Sequence, residues 1–97
     1  MNYRKLLKQA EEMQAKMQRE LGETTTEASI GGGMVTVTMN GHKMLLGVKI
    51  DPEVIDPEDP DMLQDLIVAA VNRANEKIDE ELRGKVGALA GGLPNLF

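Results

Sequence analysis

Residues 31–50 have the sequence GGGMVTVTMNGHKMLLGVKI, in which two alternating apolar and polar runs flank Asn40 and Gly41. Asn-Gly is a preferred pair for a type I′ turn, because both central positions of that turn need a positive φ. A two-residue loop sets the register so that Val37 faces Met44. The alternation then predicts one apolar face of a β-hairpin, formed by Val35, Val37, Met39, Met44, Leu46, Val48 and Ile50.

A further strand is predicted before this hairpin, and an irregular connection after it. Residues 24–30 are rich in β-branched side chains, and the glycines at 31–33 reverse the chain, so three antiparallel strands form a meander over residues 24–50. Because the triple glycine precedes a strand instead of a helix, it predicts a turn and not a phosphate-binding loop. Residues 51–61 contain three prolines and six acidic residues, which is typical of a turn-rich connection.

Helices are predicted on both sides of the sheet, over residues 1–22 and 60–83. In the first helix, apolar residues recur every three or four positions and cover about a third of the circumference. These residues are Tyr3, Leu6, Leu7, Ala10, Met13, Met17 and Leu21. The second helix begins after Asp59, a good N-cap, with Pro60 in its first turn.

The C-terminal residues 84–97 are predicted to form a separate tail. They contain four glycines, too many for a stable helix, and too many apolar residues for a solvated tail. We expect this tail to become ordered only by packing on a dimer or on another partner. The complete order predicts a single α+β domain over residues 1–97, with a helix, a three-stranded antiparallel meander, a long helix and a glycine-rich tail.

The composition argues against several kinds of functional site. The chain has no cysteine, which excludes a disulfide, a thiolate zinc site and a cysteine nucleophile, and which fits a reducing compartment. His42 is the only histidine and flanks the tight turn, so we expect an exposed turn residue and no metal site, and a catalytic triad would depend on Ser29 alone. No stretch approaches the roughly 20 apolar residues of a membrane span. We therefore expect no enzymatic activity, no cofactor, no small-molecule substrate and no membrane association.

Charge is distributed unevenly along the chain. Residues 1–49 carry seven basic and five acidic side chains (+2), and residues 50–97 carry four and eleven (−7), which together give the net charge of −5. An acidic protein does not suggest nucleic-acid binding, so any such binding has to come from local basic surface. The first helix offers one candidate, a stripe opposite its apolar residues that is interrupted by Glu12. The stripe contains Lys5, Lys8, Lys16 and Arg19. Taken alone, a stripe of this kind is more often a solvated helix face.

Five segments, in this order, closely resemble the YbaB/EbfC family of bacterial nucleoid-associated proteins. They are GGGMVTV at 31–37, NG at 40–41, VKIDP at 48–52, MLQDLIVAAVN at 62–72 and GGLP at 91–94. The resemblance implies a cytoplasmic, nucleoid-located homodimer whose sheets join in a central body. It also implies helices that project as arms and contact DNA, and a protein without catalytic activity.

On this resemblance, basic residues of the helices become candidate contacts to the phosphates of double-stranded DNA, with low sequence specificity. The protein would bend or compact DNA and so affect gene expression. The candidates are Arg4, Lys5, Lys8, Lys16 and Arg19 on the first helix, and Arg73, Lys77, Arg83 and Lys85 on or near the second. The second group is weaker, because acidic residues surround it. The alternative is a protein-interaction module that docks through the amphipathic first helix and the apolar tail.

A homodimer is also predicted from the sheet itself. Met34 and Leu45 are expected on the outer face of the hairpin, and Gly47, placed opposite Met34, allows close approach of another backbone. The sheet has apolar residues on both faces, and one small chain does not have enough other elements to cover both of them. These three residues are therefore the candidate dimer interface.

Overall fold

The computed structural model describes residues 2–91, and the side chains of residues 2–85. Its elements are α1 (Tyr3–Glu23), β1 (Thr25–Ile30), β2 (Val35–Asn40), β3 (Leu45–Ile50), a 3₁₀ turn (Pro52–Val54) and α2 (Pro60–Gly91). The strands form one antiparallel sheet in the order β1-β2-β3. The predicted α+β order of helix, meander and long helix is confirmed.

The hydrophobic core lies between α2 and one face of β1 and β2. Its buried residues are Ala28, Val35, Val37, Met39, Ala70, Ala74 and Ile78. On α2, residues 70, 74 and 78 are four positions apart, which places them on a single face of the helix. Burial of Val35, Val37 and Ile78, the largest fully buried side chains, contributes about 1.5–3 kcal/mol each.

The hairpin between β2 and β3 forms, but its predicted two-residue type I′ turn is wrong. The loop comprises residues 41–44, and the positive φ falls at Lys43 (64°) instead of at Asn40 and Gly41. The Asn40 side chain closes this longer loop, because its Oδ1 accepts hydrogen bonds from the backbone N–H of His42 (2.9 Å) and of Met44 (3.1 Å). Asparagine side chains commonly stabilise turns in this way.

The longer loop shifts the register but keeps Val48 and Ile50 on their predicted face. Val37 pairs with Val48, four positions beyond the predicted Met44. Because side chains alternate with a period of two, an even shift keeps Val48 on the same face as Val37, as predicted. The alternation therefore identified the face of Val48 and Ile50 correctly, although the predicted pairing was wrong.

Two further predictions, for Leu45 and Gly47, are wrong because β3 contains a bulge. Thr38 pairs with Gly47 and Met39 pairs with Leu45, so β3 has one extra residue between the two pairs. Leu45 consequently lies on the side of the buried Met39 and not on the outer face. Gly47 lies opposite Thr38, and not opposite Met34 as predicted.

The second helix is longer than predicted. It continues past residue 83 to Gly91 and so includes Gly84 and Gly87, which corrects the expectation of a non-helical tail from residue 84. Each glycine costs about 1 kcal/mol relative to alanine, but each residue added to an existing helix also gains one backbone hydrogen bond. Residues 92–97 of the predicted tail lie outside the described residues.

Candidate nucleic-acid interface

The first helix stands clear of the sheet, and we call it the arm (α1, Tyr3–Glu23). None of its residues is buried. At 1.5 Å per residue its 21 residues span about 32 Å, in a molecule that measures 69 × 27 × 15 Å. Asn2 caps its free end, where Oδ1 accepts a hydrogen bond of 3.2 Å from the backbone N–H of Lys5. The arm therefore exposes its whole circumference to solvent over most of its length.

The hairpin loop holds the other end of the arm, which we call the root. The backbone N–H of Gly41 donates to the carbonyls of Leu21 (2.8 Å) and Thr24 (2.9 Å). The ring of His42 donates from Nε2 to the carbonyl of Gln18 at 3.0 Å, since a carbonyl can only accept. The bond to Leu21 satisfies a carbonyl in the last turn of the helix that has no partner within the helix. The hairpin loop thus fixes the direction of the arm relative to the sheet.

The role of His42 extends beyond the sequence prediction. Its side chain is exposed, as expected for a turn residue, but it also bonds the arm. Gly41 has a steric role as well, because a Cβ at this position would lie 2.5 Å from the carbonyl oxygen of Leu21. The glycine of the Asn-Gly pair indicates that another part of the backbone can approach closely. The sequence does not indicate that this part is Leu21 of α1, because the two residues are distant along the chain.

The structure places the five predicted cations of the arm in solvent. All five are exposed, and among the side chains described for residues 2–85 none of them takes part in an ion pair. They are Arg4, Lys5, Lys8, Lys16 and Arg19. At 100° per residue, Lys5, Lys8, Lys16 and Arg19 fall within about 80° of arc, opposite the apolar residues of the arm. We call these four residues the cation stripe.

Two of the predicted cations on α2 bond to neighbouring elements of the chain. Lys77 donates from Nζ to the backbone carbonyl of Glu27 in β1. Lys85 donates from Nζ to Oγ1 of Thr24 at 2.6 Å, where the arm joins β1. Both side chains therefore hold α2 against the sheet and the root. Sequence analysis missed these roles, because the partners are 50 and 61 residues away along the chain.

The other two candidates on α2 are exposed and lie among acidic residues. Arg73 forms a salt bridge of 3.3 Å with Glu76, one helical turn away. Arg83 lies two and three positions after Glu81 and Glu80 in the sequence. The structure thus gives α2 no stripe of unpaired cations comparable to that of the arm within the described side chains.

Acidic residues collect at the end of the sheet opposite the root. β3 runs away from the hairpin loop, so the connection after Ile50 begins at the far end of the sheet. Residues 50–72 carry seven acidic and no basic side chains. All seven are exposed: Asp51, Glu53, Asp56, Glu58, Asp59, Asp61 and Asp65. The cation stripe of the arm and this run of acidic side chains therefore lie at opposite ends of the sheet.

The described residues do not assemble another kind of site. Ser29 shares a hydrogen bond of 2.5 Å with Thr36 across the sheet, whereas His42 lies at the opposite end of the strands. Within the described part of the chain, no three acidic or histidine side chains converge as metal ligands. Neither of the described helices has the length and apolar character required to cross a membrane.

Comparison with known proteins places this arrangement in a family. The model of the YbaB/EbfC DNA-binding family matches residues 1–93. A nucleoid-associated protein of Acetivibrio thermocellus is 50% identical over 102 residues, which cover 99% of this chain and 90% of that protein. A nucleoid-associated protein of Chloroflexus aurantiacus is 44% identical over 100 residues, which cover both proteins completely.

One solved structure supports the same fold. The crystal structure of the uncharacterized protein HP0035 from Helicobacter pylori matches with a TM-score of 0.64. The match covers 87% of this chain and 98% of the other, at 24% sequence identity. At that identity the match concerns the fold alone.

Proposed function

Because the chain belongs to the YbaB/EbfC DNA-binding family, we propose that it is a nucleoid-associated protein that binds double-stranded DNA through the arm. The family is defined by DNA binding, which is not an enzymatic activity. The names of the relatives from Acetivibrio thermocellus and Chloroflexus aurantiacus support a location on the nucleoid, and hence in the cytoplasm. The observation that carries the proposal is the exposed cation stripe on a helix with no buried residue.

The side chains available on this protein favour contacts to DNA phosphates over recognition of base edges. Lysine and arginine side chains that are free of ion pairs can approach phosphate oxygens without first breaking an interaction within the protein. The chain has one Tyr, one Phe and no Trp, so it offers few side chains on which bases could stack. Binding is therefore proposed to have low sequence specificity, and the bending or compaction of DNA follows from where two arms of a dimer hold the duplex.

The position of the acidic residues favours the approach of a DNA duplex from the side of the arm. The seven carboxylates of residues 50–72 repel the phosphate backbone, whereas the cation stripe of the arm at the other end of the sheet attracts it. The net charge of −5 thus does not oppose binding at the arm, because charges separated by more than about 10 Å are largely screened at 0.1 M salt. The duplex is proposed to contact the arm and not the acidic end.

The experiment that tests this proposal is a titration of unrelated DNA duplexes at two salt concentrations. If four to six cations of a dimer contact phosphates, the affinity should fall by roughly two to three orders of magnitude between 50 and 200 mM salt. Duplexes of unrelated sequence should bind with similar affinity. An affinity that does not depend on salt would contradict phosphate contacts and favour the protein-interaction alternative, in which the exposed apolar residues of the arm dock a partner.

We also propose that the protein acts as a homodimer in which a second copy covers β3. Helix α2 packs on β1 and β2, and Leu45, Leu46 and Val48 of β3 remain 45%, 52% and 46% exposed. The outer backbone edge of β3 has no neighbouring strand in the sheet. An exposed apolar edge strand of this kind is a surface for pairing with another chain.

One buried polar atom of α2 has no hydrogen-bond partner among the described residues. The Oδ1 atom of Asn75 is buried and has no hydrogen-bond partner. Asn75 lies one turn before Asp79, whose salt bridge of 2.9 Å with Lys43 marks the side of α2 that faces the β2–β3 loop. Of the predicted interface residues, Leu45 and Gly47 belong to β3, and Met34 lies in the turn before β2.

The substitution Val48→Asp is expected to dissociate the dimer. It places a charge on the uncovered apolar face, where burial by a second copy would be costly, while the single chain keeps its core because Val48 is half exposed. Sedimentation equilibrium should give twice the chain mass of 10.6 kDa for the wild type and 10.6 kDa for the variant. Lys49→Asp, on the other face of β3, should remain dimeric. A wild-type mass of 10.6 kDa at micromolar concentration would contradict the dimer.

A further inference from the structure

The arm carries an apolar stripe that no described residue covers. Five large side chains on it are 54% to 68% exposed: Tyr3, Leu6, Leu7, Met13 and Met17. Apolar residues at positions 3, 6, 10, 13 and 17 are separated alternately by three and four residues, which is the spacing of the contact seam in a coiled coil. Because the stability of most helices in proteins comes from packing of an apolar face, the arm requires a partner helix.

The charges along the arm favour a particular partner. Residues 2–10 carry three basic and no acidic side chains (+3). Residues 11–23 carry four acidic and two basic side chains (−2). Two parallel copies of the arm would place like charges together, whereas two antiparallel copies place the +3 half beside the −2 half. We propose that the arm pairs antiparallel with the arm of a second copy of this chain.

The side-chain sizes define a register for this pair. When the two arms are centred on Ala10, Tyr3 lies opposite Met17 of the second copy, and Leu7 lies opposite Met13. The smallest residue of the stripe then meets itself at the centre, where the helices approach most closely. Tyr3 and Leu7 each meet a large apolar side chain, and Leu6 meets the uncharged Gln14, so no apolar residue lies opposite a charge along this seam.

This contact is separate from the proposed dimer contact. The arm precedes β1, and β3 lies at the opposite edge of the sheet, so one chain has two different surfaces for self-association. Used together, they join dimers into larger assemblies. The cation stripes face away from the seam on both sides of the paired arms, which allows one pair to contact two duplexes. This last consequence rests on the proposed DNA binding, but the pairing itself does not.

Single engineered cysteines test the register, since the chain has no cysteine of its own. Under mild oxidation without DNA, Ala10→Cys should form a disulfide-linked pair at least about tenfold faster than Ala15→Cys, on the opposite side of the arm, because a disulfide needs Cα atoms within about 7 Å. Met17→Cys should not link to itself but should link to Tyr3→Cys in a mixture. Self-linking of Met17→Cys would indicate parallel arms, and equal rates for Ala10→Cys and Ala15→Cys would exclude pairing; either result overturns the proposal.

A second measurement tests the contact without a cross-link. In sedimentation velocity without DNA, the wild type should form species larger than the dimer as its concentration rises. Met13→Glu should abolish these species and retain the dimer, whereas Gln9→Glu, which adds the same charge outside the stripe, should retain them. Identical behaviour of the two variants would overturn the proposal. Neither measurement includes DNA, so a failure of the DNA-binding proposal would not alter their outcome.

Discussion

Reversing the four charges of the cation stripe is expected to abolish DNA binding while the protein stays folded. The variant carries Lys5→Glu, Lys8→Glu, Lys16→Glu and Arg19→Glu. Each change replaces a proposed phosphate contact with a repulsive charge, so the affinity for duplex DNA should fall by at least about two orders of magnitude at 50 mM salt. Electrophoretic or fluorescence titration measures this loss, and circular dichroism checks the fold.

The fold should survive, because the four side chains are exposed and take part in no ion pair among the described side chains. The matched control is Arg73→Glu combined with Arg83→Glu, which reverses exposed charges on α2 that already have acidic neighbours. This control should lower the affinity by less than about tenfold, roughly the effect of losing one or two phosphate contacts. If the folded quadruple variant binds DNA as well as the wild type, the arm is not the contact surface, and the protein-interaction alternative takes precedence.

The substitution Gly41→Ala is expected to lower the free energy of unfolding by about 1–3 kcal/mol. The new Cβ would lie 2.5 Å from the carbonyl oxygen of Leu21 and 3.0 Å from its Cα, so the loop or the root has to move. Movement would weaken the two hydrogen bonds from Gly41 to Leu21 and Thr24. Urea denaturation measures the change in stability, and hydrogen exchange at the C-terminal turn of the arm measures the loosening.

Gly84→Ala is the matched control for this prediction. A Cβ at Gly84 has no other atom within 4 Å, and the residue lies within α2. Alanine should therefore leave the stability unchanged or raise it by up to about 1 kcal/mol. If Gly41→Ala were as stable as Gly84→Ala, the hairpin loop would not be what holds the root.

The sequence patterns predicted the order of the elements and most of the core, because side-chain periodicity is a local property. Val35, Val37 and Met39 alternate along β2, and all three are buried as expected. The same alternation placed Val48 on the correct face but could not show that α2 leaves most of β3 uncovered. Periodicity identifies the faces of a strand, whereas the packing of distant elements decides which face is covered.

The missed features depend on side-chain hydrogen bonds and on distant partners. Asn40 uses its side chain to close a longer loop, and this competes with the type I′ turn that the same residue favours. Lys77 and Lys85 resemble the other cations in the sequence, but their partners come from β1 and from its junction with the arm. The cation stripe was predictable because its residues lie within one helix.

Because the described residues hold the arm only at its root, a small rotation there moves its free end over a large distance. The free end lies about 32 Å from the root, so a tilt of about 10° at the root displaces the tip by about 5–6 Å. That displacement exceeds the spacing of roughly 3.4 Å between successive phosphates along the axis of a DNA strand. In the proposed complex with DNA, the angle set by Gly41 and His42 therefore decides which phosphates Lys5 and Lys8 reach. A substitution in the hairpin loop can thus shift the footprint on DNA while every cation of the arm is retained.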